Sequence, residues 1–342
     1  NTMTFLRLTA CMAVILPAAV CVQASADEEA TDVDEVIVIG RSVSTGLAEI
    51  QVDREMLVDT ASVLKDIPGA NVNANGLVTG IAQYRGMYGD RVSVVIDHLG
   101  VVSGGPNAMD APLSYVSPMI TEELAVTRGI ASVSHAPESI GGHVSARLSR
   151  GEFAAAGTAL DGFVGSRYSG NGNVSTTAGR FTLATDRHKV SFLAEIDDGD
   201  DISSPVGVMR PSRLHRERGV LSYAFANGNS SVLLFAGRLD TVDTGTPALP
   251  MDIRFIDTNL AGARATIELN DTQSIEVRLG WNDVEHLMDN FGLRQAPLPP
   301  RHRQSFTTGS GTQVSIAGLQ ALTGATLKFG VDATTAEHDA TI

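Results

Sequence analysis

The chain has 342 residues, enough for two or three ordinary domains, and a formal net charge of -14. That charge argues against a nucleic-acid partner, because gripping phosphate needs a basic surface. Gly is abundant at 34 residues while aromatics make up only 5%, a mix that suits a turn-rich sheet protein better than a helical enzyme.

Residue 1 is Asn, and Met3 is the natural start. Arg7 then supplies a positive n-region, Leu8 to Val22 an apolar stretch broken by Thr9 and Pro17, and Ala24-Ser25-Ala26 a small-residue cleavage pattern. This reads as a secretory signal peptide over 1–26. The alternative, a transmembrane helix, calls for roughly 20 apolar residues. Cys11 and Cys21 both fall inside the leader, which leaves the mature chain without a disulfide, a thiolate metal site or cysteine catalysis. No later apolar run is long enough for a helical span, so a mature chain that enters a membrane must do so as a barrel.

Residues 27–46 form an acidic lead-in that contains Asp34-Glu35-Val36-Ile37-Val38-Ile39-Gly40. Four consecutive β-branched residues make an extended segment suited to adding itself to the edge of another protein's sheet. The bland reading is the first strand of the domain that follows, and both can hold in different states.

Residues 47–152 read as a compact α/β unit. A helix is expected over 47–65, with Met56, Leu57, Val63 and Leu64 on one side, ending before Pro68. Then come Ile67-Pro68-Gly69, Tyr84-Arg85-Gly86, the apolar strand Arg91 to Asp97, a polar irregular stretch from Val101 to Pro118, Val126-Thr127-Arg128-Gly129 and Ile140-Gly141-Gly142. Taken together and in this order, these motifs resemble the plug domain of TonB-dependent outer-membrane receptors. The resemblance covers most of 34–150.

The resemblance implies that Asp34, Glu35, Val36, Ile37, Val38 and Ile39 are the TonB box, gripped from the periplasm by TonB with its inner-membrane energising complex. It also implies that the upper plug contacts the ligand. The family has Gly after the strand's aspartate, and here the residue is His98. Candidate ligand-binding residues are Met87, Tyr88, Asp90, His98, Asn107, Met109, Asp110 and Tyr115, with Met119 beside them. Thioether, imidazole and carboxylate together suit copper or zinc, which makes His98, Met109 and Asp110 the metal candidates. The plain alternative is that the methionines pack the plug against the wall, His98 hydrogen-bonds locally and Asp110 caps a turn.

After the linker Ala154–Gly157 the pattern turns to alternation. Ile275, Val277, Leu279 and Trp281 fall on one face against Ser274, Glu276 and Arg278, and Val190, Phe192 and Ile196 behave in the same way. Strands are expected near 158–168, 173–185, 188–197, 215–226, 230–241, 258–269, 273–286, 303–319 and 324–337. Short connections such as Asn227-Gly228-Asn229 alternate with long ones, as in an outer-membrane barrel; a soluble sandwich has no reason to sort loops by parity. Arg238 and Asp240 are expected to face the lumen. The stretch Asp197 to Arg218 reads as a loop with an acidic block and then a basic one. The basic block suits attraction of an anionic ferric siderophore and the acidic block attraction of cations, and the alternative is a solvated surface loop near acidic lipopolysaccharide.

The fold class expected is therefore an α+β plug followed by residues 153–342 as an antiparallel transmembrane β-barrel. The family barrel has about 22 strands, of which roughly nine would be present here as part of a longer product. No catalytic motif is found, and neither enzyme activity nor a cofactor is assigned. The resemblance implies uptake of a scarce nutrient across the outer membrane of a Gram-negative cell, in contact with outer-membrane lipid and lipopolysaccharide. The cargo class is a metal ion or metal chelate (ferric siderophore, zinc or copper). The alternatives are an organic nutrient such as cobalamin, haem or a sugar, or a secreted soluble β-rich binding protein.

Overall fold

The computed structural model describes residues 5–7, 35–38, 59–67, 69–104, 110–127 and 140–341, and for 5–7 and 35–38 the backbone only. The expected leader lies outside the described residues apart from β1 (Phe5–Arg7), which pairs with the edge of the last strand. Of the expected coupling segment, Glu35–Val38 is described as β2, while Asp34 and Ile39 are not.

The first domain builds two small sheets. One has the order β2, β7 (Thr121–Thr127), β8 (His143–Leu148) and β6 (Ser93–Ile96), with β6 parallel to β8 and the other pairs antiparallel. The other is β3 (Ala70–Ala74), β4 (Gly80–Tyr84) and β5 (Met87–Tyr88). Of the helix expected over 47–65, the described end is a 3₁₀ helix, Thr60–Asp66. Asp59 caps it by accepting from the Ala61 N–H at 3.0 Å, and Leu64 is buried beneath it. Met56 and Leu57 lie outside the described residues.

Nine long strands then follow, each antiparallel to the last. They are β9 (Thr158–Ser169), β10 (Val174–Thr185), β11 (His188–Gly199), β14 (Leu214–Asn227), β15 (Ser230–Thr244), β16 (Asp252–Asn270), β17 (Gln273–Asp289), β18 (Gln304–Leu322) and β19 (Ala325–Thr341). A small hairpin, β12 (Ser203–Ser204) with β13 (Gly207–Val208), stands in the connection after β11. Two-residue turns at 186–187, 228–229, 271–272 and 323–324 mark one rim, and the longer connections 200–213, 245–251 and 290–303 mark the other. Gly228 and Gly324 take positive φ, as tight hairpins of right-handed twist demand. The plug sits against the concave face of this wall. Plug residues such as Ile96, Tyr115 and Ile120 form one continuous core with wall residues such as Val220, Leu260 and Met288.

The convex face carries a band of exposed apolar side chains, among them Phe181, Phe192, Leu221, Leu279, Trp281, Ile316 and Phe329. Towards the long-loop rim the pattern inverts. On β17 the outward positions change from Leu279 and Trp281 to Asp283 and Glu285, while the buried inward positions become Val284, His286 and Met288. The register also places Glu217, Asp240, Asp257 and Glu285 side by side on the outer surface above the apolar band. This corrects the lumen-facing expectation for Arg238 and Asp240. Leu239 between them is buried against the plug, so both charges point outward, with Arg238 Nε 2.9 Å from Asp240 Oδ2.

Candidate functional site

Side chains of the wall guide the plug backbone towards the long-loop rim. Gln313 pairs with Gly100 at both ends of its amide, accepting from the N–H at 3.0 Å and donating to the C=O at 2.7 Å. Asn282 does the same for Val102, at 3.1 and 2.9 Å. Each amide copies a strand partner, so the segment climbs the inner wall with its backbone satisfied. At Gly104 the backbone lies flat on β17. A Cβ there would come within 2.9 Å of Val284 Cγ1 and 3.3 Å of His286 Cβ.

At this apex Asp110, 1% exposed, accepts at one carboxylate oxygen from the Gly104 N–H at 2.6 Å and from the Tyr115 O–H at 2.9 Å. Burial first, and then the Asp110 carboxylate, push the Tyr115 hydroxyl well above the usual tyrosine range, so it stays a donor. Opposite stands His286, with 1% of its surface exposed. Neither ring nitrogen has a hydrogen-bond partner among the described residues. Asp110 is the charged group that faces it. Met288, also 1% exposed, lies two residues further along the same inward face.

The structure splits the candidate residues read from the sequence. Asp110 and Tyr115 stand at the apex. Asn107 and Met109 lie outside the described residues, in the 105–109 stretch whose two ends, Gly104 and Asp110, are both at the apex. Met87, Tyr88 and Asp90 are at the other end of the plug. The turn between β3 and β4 packs Leu77 and Val78 against Val174 and Leu214 beside the long loops, and β4 runs away from there before reaching them. Met119 packs towards the wall at Gly165.

His98 does not share a site with Asp110. Its Nε2 accepts from Arg264 Nη1 at 2.7 Å. Arg264 lies eight residues along β16 from Ile256, the partner of His286, which is about 26 Å of strand. Burial, and then the neighbouring Arg264 cation, lower the His98 imidazole to about 4, so it is the neutral acceptor. Both Asp97 and His98 take positive φ, forming the tight corner that aims the ring at the wall.

The sequence reading missed His286 and Met288. The signal was present in the inverted alternation of β17 above Trp281, where the inward side turns apolar because it meets the plug. It also treated Asp197 to Arg218 as one surface loop. Instead Asp197, Arg216 and Arg218 lie on β11 and β14 and point inward, buried with Glu195. Arg216 donates to Asp197 through Nε at 2.8 Å and Nη2 at 2.6 Å, and Arg218 Nη2 lies 3.2 Å from Glu195 and 3.3 Å from Asp197. Asp201 and Arg213 do remain on the loop, where Arg213 pairs with Asp243 at 3.1 Å.

The family model for the TonB-dependent receptor plug domain matches residues 39–143. Among solved structures, the copper transporter OprC superposes with a TM-score of 0.78 at 24% identity, over 90% of this chain and 46% of its own. The ferric enterobactin receptor PfeA from Pseudomonas aeruginosa matches with a TM-score of 0.64 at 14% identity, over 89% and 49%. The ferric-catecholate import receptor Fiu from E. coli K12 gives 0.61 at 13% identity, over 89% and 49%. Among curated proteins none matches the chain. The chain spans about half the length of the solved structures it resembles.

Proposed function

We propose that this chain, which has the plug domain and the barrel fold of a TonB-dependent receptor, belongs to an outer-membrane transporter that takes up copper ions. One observation carries the cargo reading. His286 offers a buried imidazole with no partner among the described residues, Met288 follows on the same face, and the plug backbone at Gly104, whose N–H is bound by Asp110, lies against the His286 side chain. Thioether sulfur with imidazole is the ligand set of a soft ion such as copper(I), and Asp110 adds a countercharge. The resemblance to a protein described as a copper transporter supports the same cargo. A bulky anionic chelate would want free cations at the apex, whereas Arg216 and Arg218 are engaged with carboxylates of the wall.

The transport cycle needs no covalent chemistry. Copper binds at the apex, TonB grips the segment Asp34 to Ile39 in the periplasm, and the inner-membrane proton gradient supplies the pull that rearranges the plug. The apolar convex band supports placing the wall in a lipid bilayer of the outer membrane, with lipopolysaccharide around the long-loop rim.

The test is copper(I) binding to the full-length receptor, measured by competition with a chromogenic chelator. His286→Ala and Met109→Ala are expected to weaken binding at least tenfold, and His98→Ala to leave it unchanged. Unchanged affinity in His286→Ala rejects the reading, and tight binding of a ferric catecholate in its place moves the cargo to a chelate.

A further inference from the structure

The inner faces of β17 and β18 are shaped level by level to the plug segment 99–104. The register sets Gly280 opposite Gln313, Asn282 opposite Gly311, Val284 opposite Gly309 and His286 opposite Thr307. At the first two levels one strand supplies a side-chain amide and the other a glycine. Gln313 takes both backbone groups of Gly100, and Asn282 takes both of Val102. The glycines leave the space that the segment fills. A Cβ at Gly280 would collide with Leu99 and one at Gly311 with Val102, while one at Gly309 would come within 2.6 Å of the Ser103 carbonyl oxygen.

The segment and β17 therefore climb in step. Gly100 stands at the level of Gly280, Val102 at Asn282 and Gly104 at Val284, so two plug residues match every two of the wall. Gly100 and Val102 each turn both backbone groups to the wall, as alternate residues of a strand edge do, and the two amides select one register. At the top of the climb the Gly104 N–H donates to Asp110 at 2.6 Å and the Gly104 backbone lies against His286. Both halves of the apex are thus measured off from the same two strands. His286 and Met288 belong to β17, and Asp110 is tied to a segment whose height β17 and β18 fix. A slip of two residues would carry the Gly104–Asp110 contact about 7 Å along the wall from His286.

We propose that Asn282 and Gln313 are positioning residues of the metal site: by fixing the register of segment 99–104 on the wall they hold the Asp110 carboxylate opposite His286 and so set the affinity for the ion. This rests on the reading of the apex as the copper site. Neither amide touches the ion, and each acts through the plug backbone. The wall contributes to the site twice, with ligands and with the template that brings the plug's carboxylate to them, and a site held by such supporting groups binds without first having to be ordered.

The experiment uses the full-length receptor and two readouts. The first needs no metal: Gly104→Cys is paired with His286→Cys, Val284→Ala makes room, and every other cysteine is replaced by Ser. A Cβ at Gly104 would stand 3.3 Å from His286 Cβ, close to the roughly 3.5–4.5 Å of a disulfide, so diamide is expected to close the bond quickly. Adding Asn282→Ala or Gln313→Ala is expected to slow closure several-fold. The second readout is copper(I) affinity by chelator competition, in the chain with native Gly104, Val284 and His286. There each amide variant is expected to weaken binding about tenfold, as loss of a group that orients metal ligands does. Gln320→Ala, which removes an exposed amide further along β18, is expected to leave affinity unchanged. Gly311→Ala, which pushes Val102 off the wall without removing an amide, is expected to match Asn282→Ala in both readouts and decides the matter if that variant fails to assemble. An unchanged closure rate overturns the proposal. Slowed closure with native copper affinity also overturns it, because the amides would then dock the segment without governing the site. If the native receptor binds no copper(I) while the amide variants still slow closure, the positioning of the apex stands and the cargo reading falls.

Discussion

Arg150 holds Asp97 with both arms of its guanidinium, Nη1 to Oδ1 at 2.8 Å and Nη2 to Oδ2 at 2.5 Å. The two side chains are 8% and 3% exposed, and the Leu148 N–H adds a third bond to the carboxylate at 3.2 Å. The pair fastens the end of β6 to the last residues of the plug, just before the linker to the wall. Removing one partner strands a buried charge, which costs about 3–5 kcal/mol, whereas removing both charges costs much less. Arg150→Met is therefore expected to speed amide exchange in β6 and β8 of the full-length receptor, and Asp97→Asn with Arg150→Met to restore most of the protection. Asn suits the positive φ of that position, so the second change adds little backbone strain.

The His98 contact gives the plug a pH dependence of defined sign. The imidazole is held near 4 when folded and near 6.5 when unfolded. Its contribution to stability is thus complete above about pH 6.5 and is lost as the pH falls towards 4, on the order of 3 kcal/mol in full. Asp59 works the other way. Burial raises its carboxyl to about 6, so the folded state gains by taking up a proton over the same range. The comparison between the native protein and His98→Gln isolates the imidazole. The melting temperature of the native receptor is expected to fall relative to that variant between pH 7 and pH 5, and parallel curves would reject the assignment.

Depth along the convex face sets the cost of a new charge. Val314 lies in the apolar band between Leu279 and Ala333, whereas Thr308 lies between Glu285 and Asp339. Val314→Arg is expected to destabilise the folded barrel by about 2–4 kcal/mol, and Thr308→Arg by about 0–1 kcal/mol, in urea unfolding within lipid. Equal costs would place the lipid boundary elsewhere.

At Ile37, opposite Ala125 on β7, proline removes a backbone donor and spoils strand addition. Ile37→Pro is expected to abolish copper uptake by cells while leaving copper binding to the purified receptor intact. Unchanged uptake would reject the segment Asp34 to Ile39 as the handle.

The wall was legible because two-residue periodicity and turn chemistry are local. The expected strand 273–286 became Gln273–Asp289, and 230–241 became Ser230–Thr244. The errors come from what local pattern cannot carry. Arg238 and Asp240 went to the wrong face because charge was equated with lumen, although a strand that rises past the lipid carries charge outside as well. Asp197, Arg216 and Arg218 looked like a solvated block because partners on neighbouring strands are invisible in a linear chain. His98 was placed near the ligand from its position after a strand. The corner at Asp97 turns it to Arg264, a residue 166 positions away. Asp110 and Tyr115 were singled out because the irregular polar loop announced itself, and His286 was passed over because nothing local marks an imidazole whose ring nitrogens end up without a hydrogen-bond partner among the described residues.

The inversion on β17 divides one strand into two regimes of mutational tolerance. Below Trp281 the outward positions demand greasy side chains and the inward ones accept charge, as Glu276 and Arg278 do. Above it the outward positions Asp283 and Glu285 are open to polar exchange, while Val284, His286 and Met288 are hemmed in by the plug. A residue's freedom to vary therefore depends on both its parity and its height. A designer wishing to graft an epitope or a reporter onto the mouth of this barrel would find the permissive sites on its outer side, one residue away from those that cannot be touched.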